Sequence, residues 1–498
     1  MRTPRAGCRL TAALVVLVVA ACSDSSGPKT GGDPRIRLIG GFDVTDTVFA
    51  ELAETLVVEV RDSSGAVAPP GTIVRFTAAM NGGIPEMLMR AVADASTGGY
   101  SELVTAETDA TGRAGVLVKL GAVAGPARIS VAAPTIAAQD TARYTVLPGN
   151  PARITLSLRD TTLYTGRSFT LRADVADAFG NVRTGPVTYA VSGPGVSVGN
   201  GGVVSASAIG RYTVTATAGG GGAFNSADIS VVPQGTMAAV ANTAVGPRIV
   251  SVALDGSDLR TLTKFGSGDV GPEATWIPGT NNIIYSDFNG TYERLRIVDQ
   301  VGKVTAFLAT PPLTMTHQAE PAPSLNAPVM YFSAFDTRCS EIYYCLYRSG
   351  RDGSAPQLLG ALFAPDEATW RPSSSPDGSR VAFVTTGPVI KVFDYASKTV
   401  LPWSVFGQRP SWSPDGSRIA FVPERGGRLH LISAADGSGD QVLTPDSRTY
   451  VEGPISWSSD SKWLLARADA GVLDLIEVAT GKVLPLPYTA AFQSGSLK

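Results

Sequence analysis

The stretch Arg409–Phe421, RPSWSPDGSRIAF, nearly restates Arg371–Phe383, RPSSSPDGSRVAF, 38 positions upstream. A unit that recurs at this period cannot bury its apolar face alone and must stack against copies of itself. Aligned on Trp412, fainter copies begin at Trp276 (WIPGTNNIIY), Ala322 (APSLNAPVMY) and Trp457 (WSSDSKWLLA), giving steps of 46, 52, 38 and 45 residues along the chain. That spacing accommodates four short strands per unit. In the shared turn, the ring of Pro414 presets the first corner, the Asp415 carboxylate bonds nearby backbone, and Gly416 takes the positive φ that starts the next strand. The following RIAF is a second strand, and GRLHLISAADGSGDQVLT supplies a third and a fourth. A tryptophan beside each inner strand packs between neighbouring sheets. An earlier unit, Met237–Thr263, carries strands two to four but lacks the inner one. The C-terminal tail PLPYTAAFQSG can supply it, closing a ring and hiding both sheet edges.

The expected architecture is therefore all-β, ending in a six-bladed β-propeller, with seven blades left open. The pattern P-x-W-S-P-D-G-x-x-I-A-F resembles the TolB-type, WD-repeat-like propeller repeat, and the resemblance covers residues 234–498. TolB-type proteins carry an α/β domain before the propeller, and this chain does not, so their role is not simply transferred. The repeat is also similar to propellers that precede prolyl-oligopeptidase domains, but no hydrolase half is expected here.

Ahead of the repeats the chain alternates apolar and polar residues in short runs broken by Gly, Asp and Pro. Examples are TLVVEVRDSSG, TIVRFTAA, AGVLVKLG and ARISVAA. Period-two alternation of this kind marks half-buried antiparallel strands. About seven such runs in residues 34–148 fit a two-sheet sandwich. The order DSSGAVAPPGTIVRF, then AETDATGRAGVLVKLGAVAGPARISVAA, resembles the bacterial Ig-like modules of invasin and intimin. Met80–Tyr100 is longer than a hairpin needs and reads as a local insertion. Residues 149–233 resemble a second bacterial Ig-like family through GVVSASAIGRYTVTATAG and ADISVVP. Neither sandwich contains a cysteine. Proline joints at Pro148 and Pro233 imply a stiff two-module stalk.

The N-terminus reads MRTPRAGCRLTAALVVLVVAAC, with Arg2, Arg5 and Arg9 preceding the apolar run Leu10–Ala21. Twelve helical residues span roughly 18 Å, too short for a ~30 Å hydrocarbon layer. Residues 1–21 are thus an export signal rather than an anchor. Val19-Ala20-Ala21-Cys22 resembles the bacterial lipobox, which implies cleavage before Cys22 and its acylation. An ordinary signal peptide with a chance cysteine is the alternative. Ser23 stands where an aspartate would favour inner-membrane retention, so the resemblance points to the outer membrane. Residues 22–33 read as a flexible tether.

Composition removes several function classes. Lys plus Arg (41) nearly balances Asp plus Glu (43), so no basic field exists to hold nucleic acid. With two histidines, His317 and His430, a His-rich metal site is excluded. No P-loop, dinucleotide fingerprint or zinc spacing occurs. Gly195–Gly199 (GVSVG) carries the letters of a nucleophile elbow, but it sits in a sandwich with no helix pattern after it. No cofactor, metal or catalytic residue is assigned.

Two features remain as candidate sites. Cys339 and Cys345 bracket SEIYY, and an exported chain meets an oxidising compartment, so a disulfide is expected if the hairpin bend falls near Arg338–Glu341. Two free thiols are the alternative. Residues just before each inner strand, Glu273, His317, Glu320, Arg371, Arg409 and Glu452, are expected to ring one mouth of the central channel. A ring of mixed charge suits a metal ion, a peptide terminus or a glycan carboxylate, and solvated entrance residues are the plainer alternative. The expected protein is a monomeric, lipid-anchored, non-catalytic envelope protein that presents a propeller to a protein or polysaccharide ligand. A periplasmic scaffold of envelope maintenance is the second reading, and a propeller lyase or glycoside hydrolase the third.

Overall fold

The computed structural model describes residues 35–94, 98–220, 222–263, 269–288, 291–359, 368–423, 427–451 and 453–498. Among them the secondary structure is strand, relieved by single 3-10 turns, and no helix is long and apolar enough to cross a membrane. The export signal, Cys22 and the tether lie outside the described residues. The chain falls into two compact units, Met1–Asn150 with Ala176–Arg183, and Pro151–Val175 with Thr184–Lys498.

The first unit is a two-sheet sandwich. One sheet orders Arg35–Gly40, Leu56–Arg61, Arg113–Leu120 and Met87–Ala91. The other orders Val44–Thr47, Ala138–Leu147, Gly125–Ala133, Ile73–Ala78 and Leu103–Glu107. Strand alternation does the packing: Ala114, Val116, Val118 and Leu120 point into the core while their neighbours face outward. The turns follow from short acidic residues. Asp62 accepts from the backbone N–H of Ser64 at 2.8 Å and of Ala66 at 3.1 Å, and Asp109 accepts from Thr111 at 2.7 Å. Met80–Tyr100 is more than an insertion. Its first residues form a small hairpin, but Met87–Ala91 is an edge strand whose Met87 and Met89 are fully buried. Ala176–Arg183 joins this unit through Asp177, which accepts from Gly149 N–H at 2.8 Å, and Asn181, which donates to the Ala122 carbonyl at 2.8 Å.

The second unit opens with strands of further sheets, two of which lie wholly within it. Asp160–Tyr164, Phe224–Val232, Gly210–Ala218 and Val187–Val191 form one, and Ser168–Thr170, Val203–Ala206 and Val196–Val198 form the other. This sandwich is fastened to the following domain by more than a proline joint. The Tyr164 hydroxyl donates to the Gly235 carbonyl at 2.7 Å and accepts from Leu254 N–H at 3.0 Å, while Lys482 Nζ donates to the Ile209 carbonyl at 3.1 Å. Ser197 of the GVSVG stretch lies in a strand paired antiparallel with Val203–Ala206, so no strand-to-helix elbow exists there.

Residues from Thr236 onward form six four-stranded sheets, the fourth carrying one extra short strand. The first is completed by Phe492–Leu497, which pairs antiparallel with Thr236–Thr243 as Ala238 opposite Ser496 and Met237 opposite Leu497. The closing strand thus begins deeper in the tail than PLPYT, which instead finishes blade six and a 3-10 turn. Apolar cores lie between every neighbouring pair of blades, including six and one. Second strands are buried on both faces. In blade four, Val381 and Phe383 face blade three, while Ala382 and Val384 face blade five. An unbroken apolar run such as RVAFV is what a strand between two cores requires. The ring is a six-bladed β-propeller.

The turn chemistry repeats three times. Ser413 Oγ donates to Asp415 at 2.6 Å and accepts from Arg418 N–H at 2.9 Å, and Ser375–Asp377–Arg380 and Ser458–Asp460–Trp463 do the same. Blade three aligns one residue differently from the sequence reading. Pro323 opposite Met330, not Ala322, is the counterpart of Trp412 opposite Ile419. Its turn lacks the Asp-Gly pair, so the letters gave no anchor to fix the register there.

Candidate functional site

The inner strands of blades two to five share an irregularity. Their pairing with the second strand breaks between Val270 and Ala274, Ala319 and Ala322, Trp370 and Ser373, and Gln408 and Ser411. Bulges of this kind re-aim a side chain. At the breaks sit Glu273, Glu320, Arg371 and Arg409, each three residues before the position held by Trp412 in its repeat. Glu320, Arg371 and Arg409 have φ of 54°, 55° and 53°. Each precedes a proline, which disfavours α backbone in the residue before it, so left-handed geometry here is a strained choice held by the fold.

These side chains form a belt across the channel. Arg409 pairs with Glu273, joining blades five and two, which are opposite in a ring of six. Arg371 Nε lies 3.9 Å from Glu320 Oε1, its backbone N–H donates to Glu320 Oε2 at 2.6 Å, and its Nη1 donates to Gln408. Ser333 Oγ also donates to Glu320, at 2.9 Å. All four charged side chains are between 13% and 18% exposed, low enough for their charges to act through little intervening water. Burial pushes the Glu320 carboxyl up, and the Glu273 charge adds to it; Arg409 and the two hydrogen bonds offset only part.

The belt is one wall of a cavity of about 220 Å³ that extends to the propeller end formed by the SPDG-type turns. Pro321, Pro372 and Pro410 follow the belt, and Trp276, Trp412 and Trp457 stand beyond them. Inner-strand hydroxyls stitch blade to blade: Ser373 accepts from Trp412 N–H at 2.8 Å, and Ser456 accepts from Leu497 N–H at 2.9 Å. The Trp457 indole donates to the Ser411 carbonyl at 2.9 Å.

The six expected mouth residues separate. Glu273, Glu320, Arg371 and Arg409 come together, but within their strands rather than before them, because the bulge turns strand residues into the channel. His317 does not line the cavity. Its ring packs 4.9 Å from Phe335 and 5.8 Å from Tyr292, and burial together with Arg294 holds its pKa below the usual histidine range. Glu452 lies outside the described residues. Cys339 and Cys345 are joined in a disulfide with Cα atoms 6.4 Å apart, across the bend at Thr337–Cys339.

Sequence reasoning missed Gln408, Ser333, Glu293 and Tyr344. Glu293 accepts from the Tyr344 hydroxyl at 3.0 Å; burial pushes its carboxyl up, with Glu273 adding. Tyr344 is pushed up by burial and by Glu293. A column drawn through the repeats three places before Trp412 groups Glu273, Arg371 and Arg409, but with blade three aligned on Ala322 it falls on Ala319, one residue short of Glu320. Nothing in the letters links Glu293 to Tyr344, which sit on third strands of different blades. Among the described residues no three His, Cys, Asp or Glu side chains converge as a metal site.

No family model matches the chain, and no curated protein matches it. Among solved structures it is similar to TolB from Acinetobacter baumannii, at 16% identity over 62% of this chain and 82% of that one, with a TM-score of 0.43. It is also similar to a DUF4784 family protein from Bacteroides caccae, at 8% identity over 69% and 98%, with a TM-score of 0.35. A third is an oligogalacturonate lyase in complex with manganese, at 11% identity over 64% and 85%, with a TM-score of 0.35. The propeller assignment rests on the six sheets and six inter-blade cores themselves.

Proposed function

We propose that this chain is a non-catalytic binding protein of the cell envelope, in which the TolB-like propeller engages a protein or polysaccharide partner. Two Ig-like modules, residues 34–148 and 149–233, serve as its stalk, and a lipid on Cys22 anchors it to the outer membrane. One observation carries the binding role. Four charged side chains at equivalent repeat positions turn into one channel, three of them on left-handed backbone that folding alone does not favour. Strain held at a lined cavity is a signature of sites kept for a ligand.

The test is cross-linking and affinity capture from the native envelope, with the full chain and with Arg371→Ala/Arg409→Ala. A partner retained by the parent and lost by the variant supports the reading; equal capture by both removes the channel from it. Protease shaving of intact cells separates a surface adhesin, which is cut, from a periplasmic scaffold, which is spared. Palmitate labelling that disappears in Cys22→Ser supports the anchor.

A further inference from the structure

The belt is not a random mixture of charges. Both acids, Glu273 and Glu320, come from blades two and three, with Glu293 behind them; both guanidinium groups, Arg371 and Arg409, come from blades four and five. Ser494 and Pro454 hold the equivalent places in blades one and six. The channel is therefore polarised across its width, one wall anionic and the facing wall cationic. The Glu273–Arg409 pair bridges the two walls.

We infer that the cavity takes a small zwitterion, a free α-amino acid or a short peptide with both termini uncapped. Such a ligand exchanges one ion pair for two. Its ammonium takes the place of Arg409 at Glu273, and its carboxylate takes the place of Glu273 at Arg409, with Arg371 beside it. Charge balance is preserved at every step, which matters in a site this buried. Glu273, Glu320, Arg371 and Arg409 sum to zero formal charge, so a zwitterion keeps the belt neutral, whereas a monoanion or a monocation adds one uncompensated charge to it. Size agrees with this class. The cavity of about 220 Å³ lies below the roughly 300–1,000 Å³ of sites for drug-sized molecules. Proline rings and the tryptophans beyond the belt provide apolar wall for a small side chain, while the charges select the two termini. This inference rests on the channel being a ligand site, as proposed above, and narrows what enters it.

The experiment uses the purified full chain at neutral pH with alanine and dialanine as probes, by isothermal titration and thermal shift. N-acetylalanine, alaninamide, propionate and methylamine are the matched analogues. Expected are binding of alanine or dialanine and about tenfold or greater loss on capping either terminus, as for sites whose polar groups are left unpaired by an analogue. Charge-selective variants sharpen the result. Arg409→Gln should shift preference towards methylamine and Glu273→Gln towards propionate, an inversion that loss of folding cannot mimic. If either variant fails to fold, the parent panel decides alone. Equal affinity for capped and uncapped alanine, or no binding by any probe, overturns the inference. Loss of zwitterion binding together with intact, channel-dependent partner capture refutes the small-ligand reading alone, whereas failure of that capture refutes the platform.

Discussion

Removing the last strand tests ring closure most directly. A chain ending at Ala491 loses Phe492 and Leu497, which are 5% and 8% exposed and sit in the core between blades six and one. Burial of two such side chains is worth roughly 1.5–3 kcal/mol each. The strand also supplies the backbone ladder to Thr236–Thr243, and Leu497 N–H donates to Ser456 of blade six. A handful of ladder bonds at about 0.5–1.5 kcal/mol each brings the loss to a size comparable with the roughly 5–15 kcal/mol that holds a whole domain. The truncated chain should therefore lose the propeller transition in calorimetry while the first sandwich still melts cooperatively. Leu497→Ala, a milder change, should cost about 2–5 kcal/mol and lower the melting temperature by about 2–4 °C per kcal/mol. A truncated chain that keeps the propeller transition at its original temperature would refute closure by this strand.

Three further outcomes follow from local chemistry. Gly416 has φ 79°, and a Cβ there would make only ordinary contact, 3.8 Å from the Pro376 ring, so Gly416→Ala should cost about 1 kcal/mol from backbone strain alone; Gly378→Ala, whose Cβ would meet Val329 at 2.4 Å, should cost distinctly more in denaturant unfolding. Asp336 is drawn up by burial, but hydrogen bonds from Arg338, Tyr347 and Thr314 more than offset this and hold its pKa at about 2. Its folded pKa is below the unfolded one, so its contribution of about 2 kcal/mol is present above pH ~4 and lost as pH falls towards 2; Asp336→Asn should flatten that acid limb. Glu320 behaves oppositely. Its raised pKa means a contribution present below the ordinary glutamate range and lost as pH rises through the folded value, so Glu320→Gln should be more stable than the parent at pH 8, with the gap closing towards about pH 4.

The blade unit was legible because its signals are local. In SPDGSR, one serine hydroxyl and one aspartate carboxylate satisfy backbone groups within five residues, so the turn is written in consecutive letters. Alternation likewise fixed the sandwich strands, since side-chain direction in a strand changes with every residue. Where those letters thin out, reading by sequence slipped: Pro323 rather than Ala322 marks blade three, and Met87–Ala91 proved to be core.

The site depended on geometry that no single segment contains. A bulge moved Glu320, Arg371 and Arg409 from strand wall to channel, and left-handed φ is invisible in the residue types that adopt it. Pairing of Glu273 with Arg409, 136 residues apart, exists only because a closed ring brings opposite blades face to face. His317, three residues before Glu320, shares its strand yet turns to Phe335 and Tyr292. The sequence by itself thus determined the repeating sheet and its turns, through contacts a few residues long. Only the tertiary structure decided how many sheets close the circle, which strand seals it, and which charges meet in its centre, because each of these depends on separate stretches packing at a distance.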